Sequence, residues 1–433
     1  MKKIIYIVLS LSCFNIVNGQ TLLTLEEAVS NVLENNFSIK IAKNELKVDE
    51  LNNSIGNAGM LPKIGASVTN NNTVQYAELA QSNGNQIEIE GARNMNSSYG
   101  VGLDWTVFDG FKMFAKSKQL KEFQNLGETE LRLAVLSKVS EVYNLYYSLA
   151  IQQKHLTVMD SIISVSEYRL ATAQNRFLIG KASKLEVLNA EVDRNSDLSN
   201  QVRIKEQRTL LRIYLNELMS LPAETEFVVQ EEVLPDVTLK LTELLELSEE
   251  QNPELQMIHI NKKIQEYELK QVRANRYPVL SLNTGYNLVH SQSPFGFVTE
   301  TTGRNFTYGF TATMNIFDGF NQNRNEKTAT LQLQNTELQI EQQKLAIQSR
   351  ITSIYQTYLT HLHLVGLEED NERIAAQNLD ITLEKFKIGT VTPVDFRTAQ
   401  VNYLNAVMRW QNALLDAKLS ETALKELAGT LTF

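Results

Sequence analysis

Phe306-Thr307-Tyr308-Gly309-Phe310-Thr311-Ala312-Thr313-Met314-Asn315-Ile316, followed by Phe317-Asp318-Gly319-Phe320, is the stretch that decides the fold. Apolar side chains take every second position through Ile316, with Thr, Gly and Asn between them. That is the period of a strand with one oily and one polar face. After Phe320 the period changes. From there to Phe386-Lys387-Ile388-Gly389 there is no proline and, before Gly389, only one glycine, Gly366. At ~1.5 Å per residue, a helix of about 70 residues reaches about 100 Å, far beyond the ordinary globular range.

The same passage occurs earlier in the chain. Tyr99, Val101, Leu103, Trp105 and Val107 alternate with small or polar residues, then Phe108-Asp109-Gly110-Phe111 opens a second long helical run to Phe177-Leu178-Ile179-Gly180. Phe108 and Phe177 are 69 positions apart, and so are Phe317 and Phe386. Equal rods in two halves of one chain indicate an internal duplication.

Working outward, Thr24-Leu25-Glu26-Glu27 has the form of a capping box, so a short helix is expected to about Asn35 and a second from Asn36. Asn252-Pro253 lies 216 positions after Asn36-Phe37, and Pro278 lies 216 after Pro62. Proline disfavours helical geometry in the residue before it, so Pro62 and Pro278 are expected to end helices and start strands. The strands run through Ile64, Ala66 and Val68, and through Leu280, Leu282, Tyr286 and Leu288. Each pairs with its return strand across a polar segment, 70–97 or 290–305, expected to be loop; the offset between the repeats falls from 216 to 209 across these segments, so the first hairpin is seven residues longer. The rods carry coiled-coil spacing, with Leu131, Val135, Val139, Val142, Tyr146 and Leu149 in one and Ile347, Ile351, Ile354, Tyr358, Leu362 and Val365 in the other. They turn at Gly180 and Gly389, into helices opened by Ser183-x-x-Glu186 and Thr392-Pro393-Val394-Asp395.

Return strands of about 11 residues suit a tilted bilayer crossing, and aromatics cluster at their ends as at membrane interfaces. Four strands cannot close a barrel alone, and lipid does not tolerate open edges. If they span, copies must join.

A hydrophobic content of 43% excludes both a disordered chain and a bundle of membrane helices. Lys2-Lys3, the apolar run from Ile4 to Leu11 and the small or polar residues at Asn18-Gly19 read as a secretory signal peptide over residues 1–19. Its removal takes Cys13, the only cysteine, and moves the net charge from −9 to −11. Acylation of Cys13 is the alternative, disfavoured by the short apolar run and by Ser10-Leu11-Ser12. An acidic exported chain without a basic, aromatic-interleaved cluster has no nucleic-acid signature.

No catalytic constellation is present: no P-loop, no dinucleotide-binding glycine pattern and no paired-cysteine metal site. His361 and His363 stand two apart on a helix, facing about 200° away from each other, and make a poor chelate. No enzyme, cofactor or metal is expected. The repeats are expected at 20–219 and 241–433, joined by a 220–240 segment that contains Pro222, Pro235 and Phe227-Val228-Val229.

In this order and spacing, twice over, the proline–strand–hairpin–strand unit, the Phe-Asp-Gly junctions at 108–110 and 317–319, and the tips at 177–180 and 386–390 resemble the outer-membrane efflux (TolC-like) family of Gram-negative bacteria. The resemblance covers essentially the whole chain after the signal. It implies a mainly α protomer with membrane β-structure, whose four transmembrane strands join those of two copies in a trimeric 12-stranded β-barrel. A long periplasmic α-helical barrel continues it. The 220–240 segment would be equatorial.

The implied function is a passive exit duct in the outer membrane and periplasm. The implied partners are outer-membrane lipid, a periplasmic adaptor and an inner-membrane pump of the RND or ABC type. Ile179, Gly180 and Lys181, with Ile388, Gly389 and Thr390, match adaptor-docking tips. Pro62, Pro278, Asp109, Gly110, Asp318 and Gly319 mark the strand–helix junctions. Asp395 matches an acidic ring at the periplasmic gate of some members, and it is also the acid of its own capping box. Thr398 stands where a second gate acid can occur, and Val391 where a basic partner can. The rival reading is a secreted or periplasmic coiled-coil spacer or adhesin without a pore.

Overall fold

The computed structural model describes residues 21–294 and 298–431; the signal segment and Cys13 lie outside them. The described chain runs β1 (Thr21–Leu23), α1 (Leu25–Asn35), α2 (Phe37–Asn52), β2 (Lys63–Ala80), β3 (Gln86–Phe108), α3 (Lys112–Leu178) and α4 (Lys184–Leu218). It continues β4 (Phe227–Val229), α5 (Leu241–Gln251), α6 (Pro253–Ala274), β5 (Val279–Gln292), β6 (Glu300–Thr313), α7 (Asn321–Lys387) and α8 (Pro393–Ala428). Two compact units form. One holds the chain up to Lys43, Thr129–Gln256 and Gln342 onward; the other holds Asn44–Glu128 and Met257–Glu341.

The duplication reaches the individual hydrogen bond. Both rods, α3 and α7, have 67 residues, and α1 and α5 have 11 each. Asn36 ends α1 in extended geometry; its Oδ1 accepts from the amides of Ser38 (2.9 Å) and Ile39 (3.3 Å), and its Nδ2 donates to Leu218 O (2.8 Å). Asn252 repeats this between α5 and α6, accepting from Leu255 N (3.1 Å) and donating to Leu427 O (2.8 Å). Each asparagine starts one helix and satisfies a carbonyl near the end of another, where orphan groups otherwise remain. Tyr146 Oη donates to Leu23 O (2.9 Å), and its repeat partner Tyr355 donates to Leu239 O (3.2 Å). Replacing Asn36 or Asn252 by Ala strands these groups in a buried site. Each change is expected to cost about 1–3 kcal/mol, read as a lower thermal midpoint; an unchanged midpoint would refute the clasp.

The first unit buries the predicted rod seam. Val139, Val142, Tyr146 and Leu149 pack with Ala28, Val32 and Ile39 from α1 and α2, with Leu215 from α4 and with Phe227 and Val229 of β4. β4 pairs in parallel with β1, so the inter-repeat segment closes this core.

The second unit carries an antiparallel four-stranded sheet in the order β2-β3-β5-β6, which leaves β2 and β6 as its edges. The fold is thus mostly helical with one four-stranded antiparallel sheet. The segments expected to be loop are largely strand. β2 pairs with β3 as far as Ala80↔Gln86, and β5 with β6 as far as Gln292↔Glu300. Asn, Ser and Thr between strands read as loop, but ladder bonds come from the backbone, so polar side chains do not stop a hairpin. Conversely β6 ends at Thr313, so Met314 to Ile316 lie outside the strand.

Candidate functional site

The register sorts the sheet into two faces. Ile64, Ala66 and Val68 stand beside Leu103, Val101 and Tyr99; Trp105, Val101 and Tyr99 beside Leu282, Tyr286 and Leu288; Leu282 and Tyr286 beside Phe310 and Phe306. These side chains share one face, and Tyr308 and Phe310 are 81% and 72% exposed. A contiguous apolar face of this extent marks contact with lipid or protein.

The other face carries Gly, Ser, Thr and Asn. Asn283 Nδ2 donates to Asp104 Oδ1 (2.6 Å), and Thr106 Oγ1 lies 3.5 Å from Ser281 Oγ. At Gly100 a Cβ would stand 1.7 Å from Asn287 Oδ1, so a larger residue there would push the Asn287 side chain aside. This face is hydrophilic and continuous, as the lining of a water-filled bore needs to be.

At each strand–helix junction the chain reverses through two consecutive left-handed residues, Gly110 and Phe111 (φ 70° and 69°), then Gly319 and Phe320 (φ 69° and 66°). Asp109 accepts from Met113 N (3.0 Å) and Asp318 from Gln322 N (2.7 Å), so each aspartate caps a rod. Phe108 and Phe111 meet edge-on at 5.3 Å, as do Phe317 and Phe320 at 5.4 Å. Pro62 and Pro278 each stand one residue before a strand.

The rods end in matching glycine turns. Gly180 (φ 73°) lets Lys181 N donate to Arg176 O (2.7 Å), and Gly389 (φ 76°) lets Thr390 N donate to Lys385 O (2.9 Å). Ile179 and Ile388 are exposed at the two turns. Lys387 Nζ lies 2.6 Å from Glu384 Oε1, and this hydrogen bond raises its pKa above the usual lysine range. Below the turns the repeats diverge. Phe386 stacks on Phe396 at 4.9 Å and is buried, whereas the equivalent positions hold Phe177 and Val187, and Phe177 is exposed.

Asp395 and Thr398 lie one turn apart on an exposed face of α8. Asp395 Oδ2 accepts from Thr392 Oγ1 (2.7 Å) and Thr392 N (3.2 Å), so its carboxylate is engaged in the capping box. Thr398 Oγ1 donates to Val394 O (3.0 Å). Beside them a cavity of about 460 Å³ is lined by Arg169, Ser183 and Glu186 of the first hairpin and by Phe386, Arg397 and Thr398 of the second. The tip residues 179–181 and 388–390 do not line it.

One wall of this cavity is a charged network that the sequence reading missed. Arg397 on α8 grips Asp197 on α4 with two parallel bonds (2.8 and 2.9 Å), and Asp197 is 1% exposed. Ser166 on α3 donates to Asp197 Oδ2 (2.6 Å), Gln400 Nε2 donates to Ser166 Oγ (2.8 Å), and Arg169 pairs with Asp193. Arg397 Nε stands 3.7 Å from Asp193. A signal did exist. Ser166, Asp197 and Arg397 correspond in the other repeat to Ala375, Ala406 and Leu188, so polar groups replace apolar ones where the hairpins meet.

Among the described residues no group of three or more His, Cys, Asp or Glu side chains is placed to hold a metal, and no helix is long and apolar enough to cross a membrane. His361 Nδ1 instead lies 2.9 Å from Ser420 Oγ.

A two-faced sheet whose strands lead into two 67-residue rods is the architecture of a membrane channel protomer. The profile of the family described as outer membrane efflux protein matches residues 28–220 and 244–430, and the chain belongs to that family. It is a passive channel of the outer membrane that extends into the periplasm. Solved structures agree in fold. The Campylobacter jejuni CmeC outer membrane channel superposes with a TM-score of 0.78 at 17% identity, over 94% of this chain and 85% of that one. The outer membrane protein VceC of Vibrio cholerae gives 0.73 at 16%, over 94% and 96%. The open state of the Neisseria gonorrhoeae MtrE outer membrane channel gives 0.70 at 15%, over 94% and 89%. No curated protein sequence matches significantly.

Proposed function

We propose that three copies close their sheets into one 12-stranded barrel, continued by the rods as a periplasmic α-helical tunnel, and that the duct passes cargo delivered by an adaptor and an inner-membrane pump. The observation that carries this reading is the sheet itself: one face suits lipid, the other suits water, and β2 and β6 are left as edges. Unpaired edges are not tolerated in lipid, so β6 of one copy meets β2 of the next. Residues 20–219 and 241–433 act as two repeats about the 220–240 segment. The exposed turns at 179–181 and 388–390 dock the adaptor. The Arg397–Asp197 network holds the second hairpin against the first when the periplasmic end is narrow.

Planar bilayers test the reading. Purified protein is expected to give long-lived, cation-preferring conductance, and a chain that never inserts would refute it. Asp395 from each copy faces the entrance, where converging carboxylates raise the local cation concentration. Asp395→Ala is therefore expected to weaken block by multivalent cations. An unchanged block would leave Asp395 with only its capping role.

A further inference from the structure

The cavity between the two helical hairpins contains a buried arginine whose donors are not all used. Arg169 lines the cavity and is 3% exposed. Its Nη2 pairs with Asp193, while its Nε and Nη1 have no hydrogen-bond partner among the described residues. A guanidinium keeps its charge in a protein, so deprotonation cannot relieve these N–H groups. Buried donors without an acceptor cost free energy, and a ligand oxygen would recover it.

The surroundings favour an anion. Each carboxylate at the site already has a cation: Glu186 lies 3.1 Å from Arg176, Asp193 takes Arg169, and Asp197 takes Arg397. Two helices also begin here, α4 after its N-cap Ser183 and α8 after Thr392. Their first turns form part of the wall, which brings the positive ends of both helix dipoles to the cavity. Apolar groups complete much of the rest. Phe386 is buried in its stack on Phe396, while Leu185, Val192 and Val394 are 65%, 67% and 69% exposed. The volume of about 460 Å³ lies within the range of small-molecule sites.

We propose that this cavity binds a small organic anion, its carboxylate on Arg169 and its apolar body against Leu185, Val192, Phe386 and Val394. Water would satisfy the arginine but leave those apolar side chains wet, and a hydrocarbon would do the reverse. An amphiphilic anion does both. Arg169 belongs to the first hairpin, and Phe386 and Val394 belong to the second, so the bound anion bridges them. The site occurs once per chain, because the repeat positions that match Arg169 and Arg397 hold Asn378 and Leu188. Recognition here needs only residues of one chain, so it stands apart from the ring proposed above.

Fluorine NMR of the purified protein, with fluoronaphthoate as the probe, tests the site. The expected result is saturable binding of one naphthoate per chain, with the neutral fluoronaphthamide weaker by about tenfold or more. Arg169→Met is expected to bring naphthoate down to the level of the amide. Val192→Trp, a change at an exposed position that fills the cavity, is expected to remove binding and keeps the test decisive if Arg169→Met fails to fold. Bound naphthoate is also expected to slow proteolysis at the Gly180 and Gly389 turns. Equal binding of naphthoate and amide, tighter binding of the matching naphthylmethylammonium, or undiminished binding to Val192→Trp would overturn the site. Saturable binding with unchanged proteolysis would overturn the bridge. Neither readout uses conduction, so failure here leaves the channel reading standing.

Discussion

Arginine introduced at Phe310 or Val101 is expected to abolish stable insertion into the outer membrane. Both positions lie on the apolar face, aligned through Leu282 with Trp105 and through Tyr286 with Phe306. A guanidinium near the bilayer midplane costs about 2–4 kcal/mol per site, and a ring of three copies would carry that cost three times, about 6–12 kcal/mol. Thr311→Arg, one residue away on the opposite face, is expected to insert and to shift selectivity toward anions. The comparison is read from membrane fractionation and bilayer recordings. If Phe310→Arg inserts as well as the unaltered chain while Thr311→Arg does not, the faces are reversed.

The second large effect concerns the network at the periplasmic tips. Arg397→Ala leaves the buried Asp197 carboxylate without its cation, while the Ser166 hydroxyl still donates to it. Breaking one partner of a buried pair costs about 3–5 kcal/mol, whereas replacing both by apolar groups is often close to neutral. Arg397→Ala is therefore expected to loosen α8 from α4, giving a larger open probability and faster proteolysis at the tips. Arg397→Ala combined with Asp197→Ala should restore much of the protease resistance. Equal proteolysis of the single variant and the unaltered chain would remove the network from the gate.

Much of this molecule is legible in the sequence because its signals are local or repeated. Alternation from Tyr99 to Trp105 and from Phe306 to Ala312 assigns the faces of the sheet, since successive side chains in a regular strand point to opposite faces. The equal spacing of Phe108–Phe177 and Phe317–Phe386 fixes the rods, and the capping residues fix where they begin. What stayed hidden depends on contacts between distant positions. Asp197 and Arg397 are 200 residues apart, and nothing local says that they meet. The clasps of Asn36 and Asn252 were visible as an aligned pair, but not as bonds to Leu218 and Leu427. Hairpin length is not legible there, because polar composition separates water-facing from buried segments and does not separate strand from loop.

The 67-residue rods carry a consequence for how this protein varies by descent. Both hairpins contribute to the wall of the same cavity, so a length change in one rod alone would bring its turn out of step with its twin. Insertions and deletions there should survive only when mirrored in the sister repeat, and in whole heptads that keep the seam in phase. The strand hairpins escape this coupling and already differ by seven residues. Rod length should behave as a single inherited trait across related genes, while the far ends of the strands drift freely.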